Sequence, residues 1–356
     1  MPTFTSQQLQ HIGIAILEGA GVPRPEAVQV VDLLVESNLV GHDSHGVVRI
    51  PDYVYAILEG KVKPEARIEV VRESCTTAVV NGNWGLGQVV ASQTMSMAIS
   101  KAEEHDIGIV TTFNCGHIGR LADYAQMAVA HDMIGYCCSN SLPQVAPFGG
   151  MQRVFNQSPI SWAIPAGNEP PFILDITTSV CAGGKIIMAR AKGEKLPPRY
   201  IIDRNGLPTI DPEDYFRGGA GLPLGGPVGY KGTGLAMVVD ITAGILSGRG
   251  AAYLGDNSSS ERAARASAGQ GVFQLALKVA AFCDVAKFKE DLDKLLRVVR
   301  NSKPAAGFKE VLVPGDLELR TRKIRLVKGI EIPQATWDEI IQTAKKVKVD
   351  ISRHLG

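Results

Sequence analysis

The sequence predicts an α/β fold with helical sections before and after it. Three observations carry this. Before Pro64, apolar residues recur at helical spacing. Between Thr77 and Asp175, short β-branched runs alternate with helical ones. After Val285, helical spacing returns. A chain of 356 residues exceeds one ordinary core, so two or three packed domains are expected.

Leu9, Ile12 and Ile16 mark a first helix over 6–17, closed by Gly19 and Gly21. Pro25 opens a second, running through Val28, Val31 and Leu34 to about Leu39, because a helix tolerates proline in its first turn. Residues 41–46 form a short polar turn, and 47–58 a third helix with Pro51 near its start. The middle section reads as strand 77–80, helix 89–104, strand 107–112, helix 118–130, strand 133–139, and strands 160–164 and 173–175. Asn205-Gly206 is a turn, and the Gly- and Pro-rich 218–229 a loop. Residues 231–246 are helical. The small, polar 257–271 reads as a mobile loop. A strand over 273–279 and an amphipathic helix over 285–300 follow, with two more helices after Pro314 and Pro333.

The formal net charge is +1, which gives no electrostatic reason to bind nucleic acid or an anionic membrane. No run approaches about 18 apolar residues, so no membrane span is expected. The start, Met-Pro-Thr-Phe-Thr-Ser-Gln-Gln, lacks the pattern of a secretory signal. The six cysteines include no Cys-x-x-Cys pair, and several lie in apolar runs. They read as buried free thiols, and a cytoplasmic location is expected.

The densest polar cluster is Gly41-His42-Asp43-Ser44-His45-Gly46-Val47-Val48-Arg49. Histidine titrates near neutral pH and moves protons; arginine holds a carboxylate with two hydrogen bonds. His45 and Arg49 share one face if the turn leads straight into a helix. The same residues also read as a polar loop with a capping Asp43 and solvated histidines. His42 and His45 have the spacing of two metal ligands, but no second cluster completes such a site.

Other segments carry weaker signals. Asn114-Cys115-Gly116-His117-Ile118-Gly119-Arg120 joins a strand to a helix, where backbone amides bind anions. Gly85-Leu86-Gly87-Gln88-Val89-Val90-Ala91 loosely fits a Rossmann fingerprint. Its strand, however, is expected to end several residues before the first glycine, and Glu103 and Glu104 end a helix where an acid closing a second strand is required. Asp175 ends a hydrophobic strand and either serves a site or caps the following helix. Lys231, within Gly229-Tyr230-Lys231-Gly232-Thr233-Gly234, either pairs with a phosphate or lies in a flexible glycine loop.

Taken in order, these segments resemble one family. Glu36-Ser37-Asn38-Leu39-Val40-Gly41-His42-Asp43-Ser44-His45-Gly46 closely resembles the signature of the malate/L-lactate dehydrogenase type 2 family. Residues 114–120, Asn140-Ser141, Ala146-Pro147-Phe148-Gly149, Leu174-Asp175, 229–234 and Leu312-Val313-Pro314-Gly315-Asp316 extend the likeness over nearly the whole chain. The nearest branch is that of the hydroxycarboxylate dehydrogenases. The resemblance implies a non-Rossmann NAD(P)-binding fold of the L-sulfolactate dehydrogenase type: a mixed β-sheet flanked by helices, with a helical N-/C-terminal domain. It implies a helical substrate and dimerisation domain from 1–72 with 302–356. The NAD(P)-binding domain is then 73–301, with a helical and loop insertion around 215–270.

It further implies a homodimer acting on a small 2-oxo/2-hydroxy acid with NAD or NADP. An alternative on the same scaffold is an NADPH-dependent reductase of cyclic imino-2-carboxylates. By resemblance, His45 is the acid/base, with Ser44 beside it. Arg49 and Ser44 bind substrate, Asp175 supports the histidine, and His117 lines the cleft and carries the proton in one branch. His117, Asn140, Ser141, Leu174, Asp175, Ile176, Thr177, Thr178, Tyr230, Lys231, Gly315, Asp316 and Leu317 match the cofactor segments. Many relatives carry Gly-Thr-Asn-Pro where this chain has Asn156-Gln157-Ser158-Pro159, which leaves the choice between NAD and NADP open.

Overall fold

The computed structural model describes residues 1–254 and 269–354. The expected mobile loop over 257–271 therefore lies outside the described residues as far as 268. Its last two residues, Gln270 and Gly271, belong to a strand.

The first section is helical: α1 (Ser6–Gly19), α2 (Arg24–Leu39) and α3 (Ile50–Leu58). A capping box starts α1. Thr5 Oγ1 accepts from the Gln8 N–H at 3.1 Å, and Gln8 Oε1 accepts from the Thr5 N–H at 2.9 Å. Strand β1 (Thr3–Phe4) precedes it. The middle section holds β2 (Glu69–Glu73), β3 (Thr77–Gly85), α4 (Gly87–His105), β4 (Ile107–Cys115), α5 (Ala122–Val129), β5 (Met133–Asn140), β6 (Pro159–Ile164) and β7 (Phe172–Thr177). Next come α6 (Gly183–Lys192), β8 (Ile201–Ile202), β9 (Pro208–Thr209), α7 (Pro212–Phe216), β10 (Ala220–Gly221) and α8 (Tyr230–Val239), which continues as a π-helical stretch, Asp240–Ile245. Strand β11 (Gln270–Lys278), α9 (Val285–Arg300), α10 (Asp316–Lys328), β12 (Ile330–Glu331) and α11 (Gln334–Lys346) complete the described chain.

The main sheet is mixed and seven-stranded, in the order β2-β3-β4-β11-β5-β6-β7. Only β3 and β4 pair in parallel; every other neighbouring pair is antiparallel. Two strands that are each antiparallel to the one between them run the same way. So β3, β4, β5 and β7 share a direction, and their carboxyl ends meet along one edge of the sheet. That edge carries Gly85, Cys115, Asn140 and Thr177. Ligands of open α/β sheets collect at such an edge.

Two points differ from the sequence reading. Strand β3 runs on to Gly85 itself, and α4 opens at Gly87, so the strand does reach the glycines. It is the sheet order, with antiparallel β11 beside β4, that departs from a Rossmann unit. The glycines serve packing. A Cβ on Gly87 would lie 2.2 Å from the His117 carbonyl oxygen, so only glycine lets α4 start this close to the chain after β4. Helix α5 begins at Ala122 rather than at 118, because Gly119, at φ 75°, breaks the helical run and Arg120 turns to pair with Asp123.

The hydrophobic residues form separate cores. One joins α1, α2 and α3 to Ile330, Ile332, Trp337, Ile340 and Ala344 near the C-terminus, and β1 pairs with β12 across it. Another fills the sheet beneath α4 and α5. A small third core holds Cys181, Ile186, Leu196, Ile201 and Tyr215, beside the three-stranded sheet β10-β8-β9. Within the stretch expected as an insertion around 215–270, Tyr215 belongs to this small core, whereas Val239 and Ala243 pack on Cys138 of the main sheet. Cys115, Cys137, Cys138 and Cys181 are buried thiols as expected, whereas Cys75 and Cys283 are exposed.

Candidate active site

The polar turn after α2 is two 3-10 turns, Asp43–His45 and Val47–Arg49, separated by Gly46 at ψ −154°. Asn38, at the end of α2, staples them together. Its Nδ2 donates to Asp43 at 2.7 Å, and its Oδ1 accepts from the Val47 N–H at 2.9 Å. A side chain at Gly46 would overlap that amide, with Cβ 2.2 Å from Asn38 Oδ1. Helix α10 docks on the outer side. Arg325 donates to both Asp43 oxygens, and His42 Nε2 lies 3.2 Å from Glu318. His42 and Asp43 are therefore occupied in holding the turn.

Ser44 and His45 make a different set of contacts. Ser44 Oγ lies 3.1 Å from His45 Nδ1, and Arg49 Nε donates to the Ser44 carbonyl at 2.7 Å. Continuous helical spacing does not bring His45 and Arg49 together, since Gly46 interrupts it; Ser44 does, by touching both. Arg49 Nη1 also donates to Asp52 at 3.1 Å. A cavity of about 500 Å³ is lined by Ser44, Val48 and Arg49, by Ile187 and Met188 of α6, and by Arg325, Ile332 and Pro333; His45 and His117 lie behind Ser44 and are not among its lining residues. Gly184 of α6 lies so close that a Cβ there would sit 2.3 Å from Ser44 Cβ.

The segment after β4 brings His117 to the same place. Its ring stacks on His45 with centroids 5.8 Å apart and planes 16° apart. Tyr53 of α3 lies 2.8 Å from His117 Nδ1, and Gln88 Nε2 of α4 donates to the Tyr53 hydroxyl at 2.7 Å. Gln88 Oε1 is buried without a partner, a cost of about 1–3 kcal/mol that native folds rarely carry. Among the described residues, the Nε2 atoms of His45 and His117 have no hydrogen-bond partner, and neither is sealed from solvent. Both therefore open to a ligand. Burial and the neighbouring Arg49 guanidinium pull the His45 imidazole down to about 3, with His42 and Arg120 adding to it. Burial, Arg49 and His45 hold His117 well below its ordinary range. Both rings are neutral at neutral pH.

Asp175 is placed differently from the expectation. Its carboxylate accepts from the Ala122 N–H at 3.1 Å, so it caps α5 rather than the helix that follows it in sequence. Burial pushes its pKa up, while His42, Arg120 and the Ala122 N–H pull it down. His42 is the histidine whose charge reaches it, and no hydrogen bond joins it to His45. Nearby, burial raises Asp123 to about 6 despite its pairing with Arg120.

The expected cofactor residues lie along and beside β7, whose last residue, Thr177, is on the carboxyl edge of the sheet and whose Ile173 is towards the amino end. Leu174, Asp175, Ile176 and Thr177 lie on β7, the outermost strand. Thr178 follows, and its carbonyl accepts from the Leu224 N–H at 2.9 Å. Gly232 of α8 packs against Leu224, which brings Tyr230 and Lys231 to the same neighbourhood. Both are exposed, and Tyr230 meets Phe148 edge-on at 6.2 Å. Gly315, at φ 98°, lies beside Ile173 of β7. The departing segment is here too: the Gln157 carbonyl accepts from the Thr178 N–H at 3.1 Å, and Asn156 donates to the Leu142 carbonyl at 2.9 Å.

Two of the expected residues, Asn140 and Asp316, have other occupations. The Asn140 amide donates to Asp240 and to the Gly250 carbonyl, each at 3.0 Å, and accepts from the Gly271 N–H at 3.2 Å. Asp316 receives Arg300 at 2.9 Å and the Val313 N–H at 3.0 Å. Leu317 is an exposed apolar residue. Ser141, half-buried, follows Asn140 at the end of β5. Tyr53 and Arg325 escaped the sequence reading, and Asn38 and Gln88, although within quoted motifs, were given no role there. Each is a single polar residue on an otherwise ordinary helix, and only the third dimension shows what it touches.

Residues 4–341 match the malate/L-lactate dehydrogenase family. Malate dehydrogenase of Pyrococcus horikoshii is 37% identical over 343 residues, covering 95% of this chain and 93% of that protein. The solved structure of sulfolactate dehydrogenase from Methanocaldococcus jannaschii superposes with a TM-score of 0.87 at 33% identity, covering all of both chains. The NAD(+)-dependent ureidoglycolate dehydrogenase of Escherichia coli K12 is 31% identical, covering 91% of each. The archaeal malate dehydrogenase thus matches more closely than hydroxycarboxylate dehydrogenase B of Escherichia coli O157:H7, at 30%, the branch that the motifs suggested. With a family match over residues 4–341 and relatives above 30% identity spanning more than nine-tenths of both chains, the chain belongs to the malate/L-lactate dehydrogenase family.

Proposed function

We propose that this protein interconverts a small 2-hydroxy acid and its 2-oxo acid with a nicotinamide cofactor, and that His45 moves the proton. One observation carries the assignment of residues. Ser44 touches both the His45 ring and the Arg49 side chain, beside a cavity of about 500 Å³. Ser44 and Arg49 line that cavity and His45 stands directly behind Ser44, which supports a site where a proton-transfer group and a carboxylate-binding fork serve one small molecule.

The surface along β7, from Thr177 back to Ile173, suits the cofactor. Gly315 leaves space where a Cβ would lie 3.7 Å from the Ile173 carbonyl, over the outermost strand, and Lys231 has no ion pair among the described residues. Residues 174–178, 230–231 and 315 would hold the cofactor there. When bound, the nicotinamide supplies or accepts the hydride at C2. Arg49 binds the substrate carboxylate. In oxidation, neutral His45 accepts the hydroxyl proton at Nε2 while its Nδ1–H donates to Ser44. In reduction, His45 gives a proton to the forming alkoxide; burial and then the Arg49 charge hold the ring low, and the substrate carboxylate offsets the Arg49 part, which favours its protonation. Asp175 acts by fixing the start of α5 and balancing His42 and Arg120.

The second part of the reading is a homodimer. Leu235, Val238, Ile241, Ile245 and Leu246 lie exposed along α8 and its π-helical continuation, an apolar face suited to a second copy.

Oxidation of NADH and NADPH is followed with oxaloacetate, sulfopyruvate, pyruvate and Δ1-piperideine-2-carboxylate. Turnover of at least one 2-oxo acid is expected, and His45→Ala lowers kcat by about 10²–10⁴ while NADH still binds. A preference for the cyclic imine would assign the reductase alternative. Near wild-type turnover in His45→Ala would remove the proton-transfer role.

A further inference from the structure

We infer that Tyr53 and Gln88 are positioning residues that fix His117 as a neutral imidazole with its proton on Nε2, a hydrogen-bond donor to the substrate oxygen rather than a proton carrier. The inference rests on the functional reading above and adds roles to two residues that the family signature does not contain.

The geometry is a directed chain. Gln88 Nε2 on α4 donates to the Tyr53 hydroxyl oxygen at 2.7 Å. The hydroxyl has one proton of its own. With Gln88 N–H aimed at its oxygen, that proton points at His117 Nδ1, 2.8 Å away. A ring nitrogen that accepts a hydrogen bond carries no proton, so the single proton of the neutral ring resides on Nε2. That atom has no protein partner among the described residues and is not sealed from solvent. Tyr53 and Gln88 are buried, so water does not compete for these positions.

The arrangement also separates the two stacked histidines. His45 Nδ1 meets a serine hydroxyl, which both donates and accepts and therefore allows the ring to gain and lose a proton. His117 Nδ1 meets a hydroxyl whose direction is already set by Gln88. Protonating Nδ1 of His117 would require the Tyr53 hydroxyl to turn into the amide protons of Gln88. The unpartnered Gln88 Oε1 is the strain this polarity carries.

The test is ¹⁵N NMR of the whole protein, with isotopically labelled histidine, free of substrate at neutral pH. The His117 signals are assigned by their loss in His117→Gln. The Nε2–H form is expected; an Nδ1–H form, or a doubly protonated ring, would overturn the inference. Gln88→Glu offers only acceptors, so it reverses the chain. It is expected to move His117 to the Nδ1–H form and lower kcat by about 10²–10³, the effect of removing one donor from a developing oxyanion. Gln88→Met and Tyr53→Phe remove the constraint without imposing the reverse, and are expected to cost less than Gln88→Glu while the NADH Kd stays unchanged. Retention of the Nε2–H form in folded Gln88→Glu would also overturn it. The wild-type spectrum needs no variant, so a substitution that fails to fold leaves the test intact. Absence of turnover with every 2-oxo acid would defeat the functional reading and leave the tautomer standing; turnover with His117 in the Nδ1–H form would defeat this inference alone.

Discussion

Arg49 commits two of its three nitrogens to its own turn, one to the Ser44 carbonyl and one to Asp52. Arg49 also lines the cavity, and on the proposed reading its remaining amino group, with the charge of the whole fork, serves the substrate carboxylate. Lysine keeps the charge but reaches neither Ser44 nor Asp52 with a planar fork. Arg49→Lys should therefore raise KM for 2-oxo acids and loosen the turn, with the NADH Kd unchanged; an unchanged KM removes Arg49 from the substrate site. His45 makes a second prediction. Its imidazole is held at about 3 in the fold and titrates near 6.5 when unfolded. The unfolded chain thus binds more protons between these values, and stability falls as pH drops from 6.5 towards 3, with each unit worth about 1.4 kcal/mol. His45→Gln should flatten that part of the acid limb in urea unfolding. An identical limb in both proteins would show that the ring is not depressed. At this scale the sequence was legible where chemistry is dense. His45, Ser44 and Arg49 announce themselves within nine residues, while Tyr53 and Gln88 lie on separate helices and gain meaning only from each other. Asp175 was legible as a strand-end acid, but its partner, the start of α5, was not: the cap comes from 53 residues downstream.

Helix ends place the site. The close approach at Gly87 sets α4 against the His117 backbone, and the one at Gly184 sets α6 over Ser44. Gly87→Ala should push the 116–117 backbone away from α4 and destabilise the fold by about 1–3 kcal/mol, as forced insertions into packed sites do. Because His117 moves with that backbone, kcat should fall more than the loss of folded protein explains, measured as kcat per folded molecule; a purely thermal effect would show the glycine to be structural alone. Element types were well read wherever a clear period was sustained. The span 285–300 agrees with α9 to the residue, and helices follow both Pro314 and Pro333. The failures have physical causes. Strands β1, β8, β9, β10 and β12 have two residues each, too few to show alternation. Strand β2 is exposed along its length, so no apolar face marks it.

At the scale of the molecule, the exposed apolar face of Leu235, Val238, Ile241, Ile245 and Leu246 is the feature that a single chain leaves unsatisfied. A charge at its centre, Ile241→Asp, should shift the protein from dimer to monomer in sedimentation; a wild-type dimer unaffected by the change would place the interface elsewhere. The sheet order has a consequence of another kind. Strand β11 lies between β4 and β5 and pairs with both, so Val272 meets Thr112, 160 residues earlier in the chain, and Ser139, 133 earlier. During synthesis β4 and β5 leave the ribosome long before their shared neighbour. Until residue 278 emerges, each presents an open edge of unpaired amides and carbonyls to any other chain in the same state. Closing so distant a contact is slow, because the entropy of the intervening loop must be given up first. The strand that completes the sheet therefore sets the period during which the newborn protein is most exposed to misassembly.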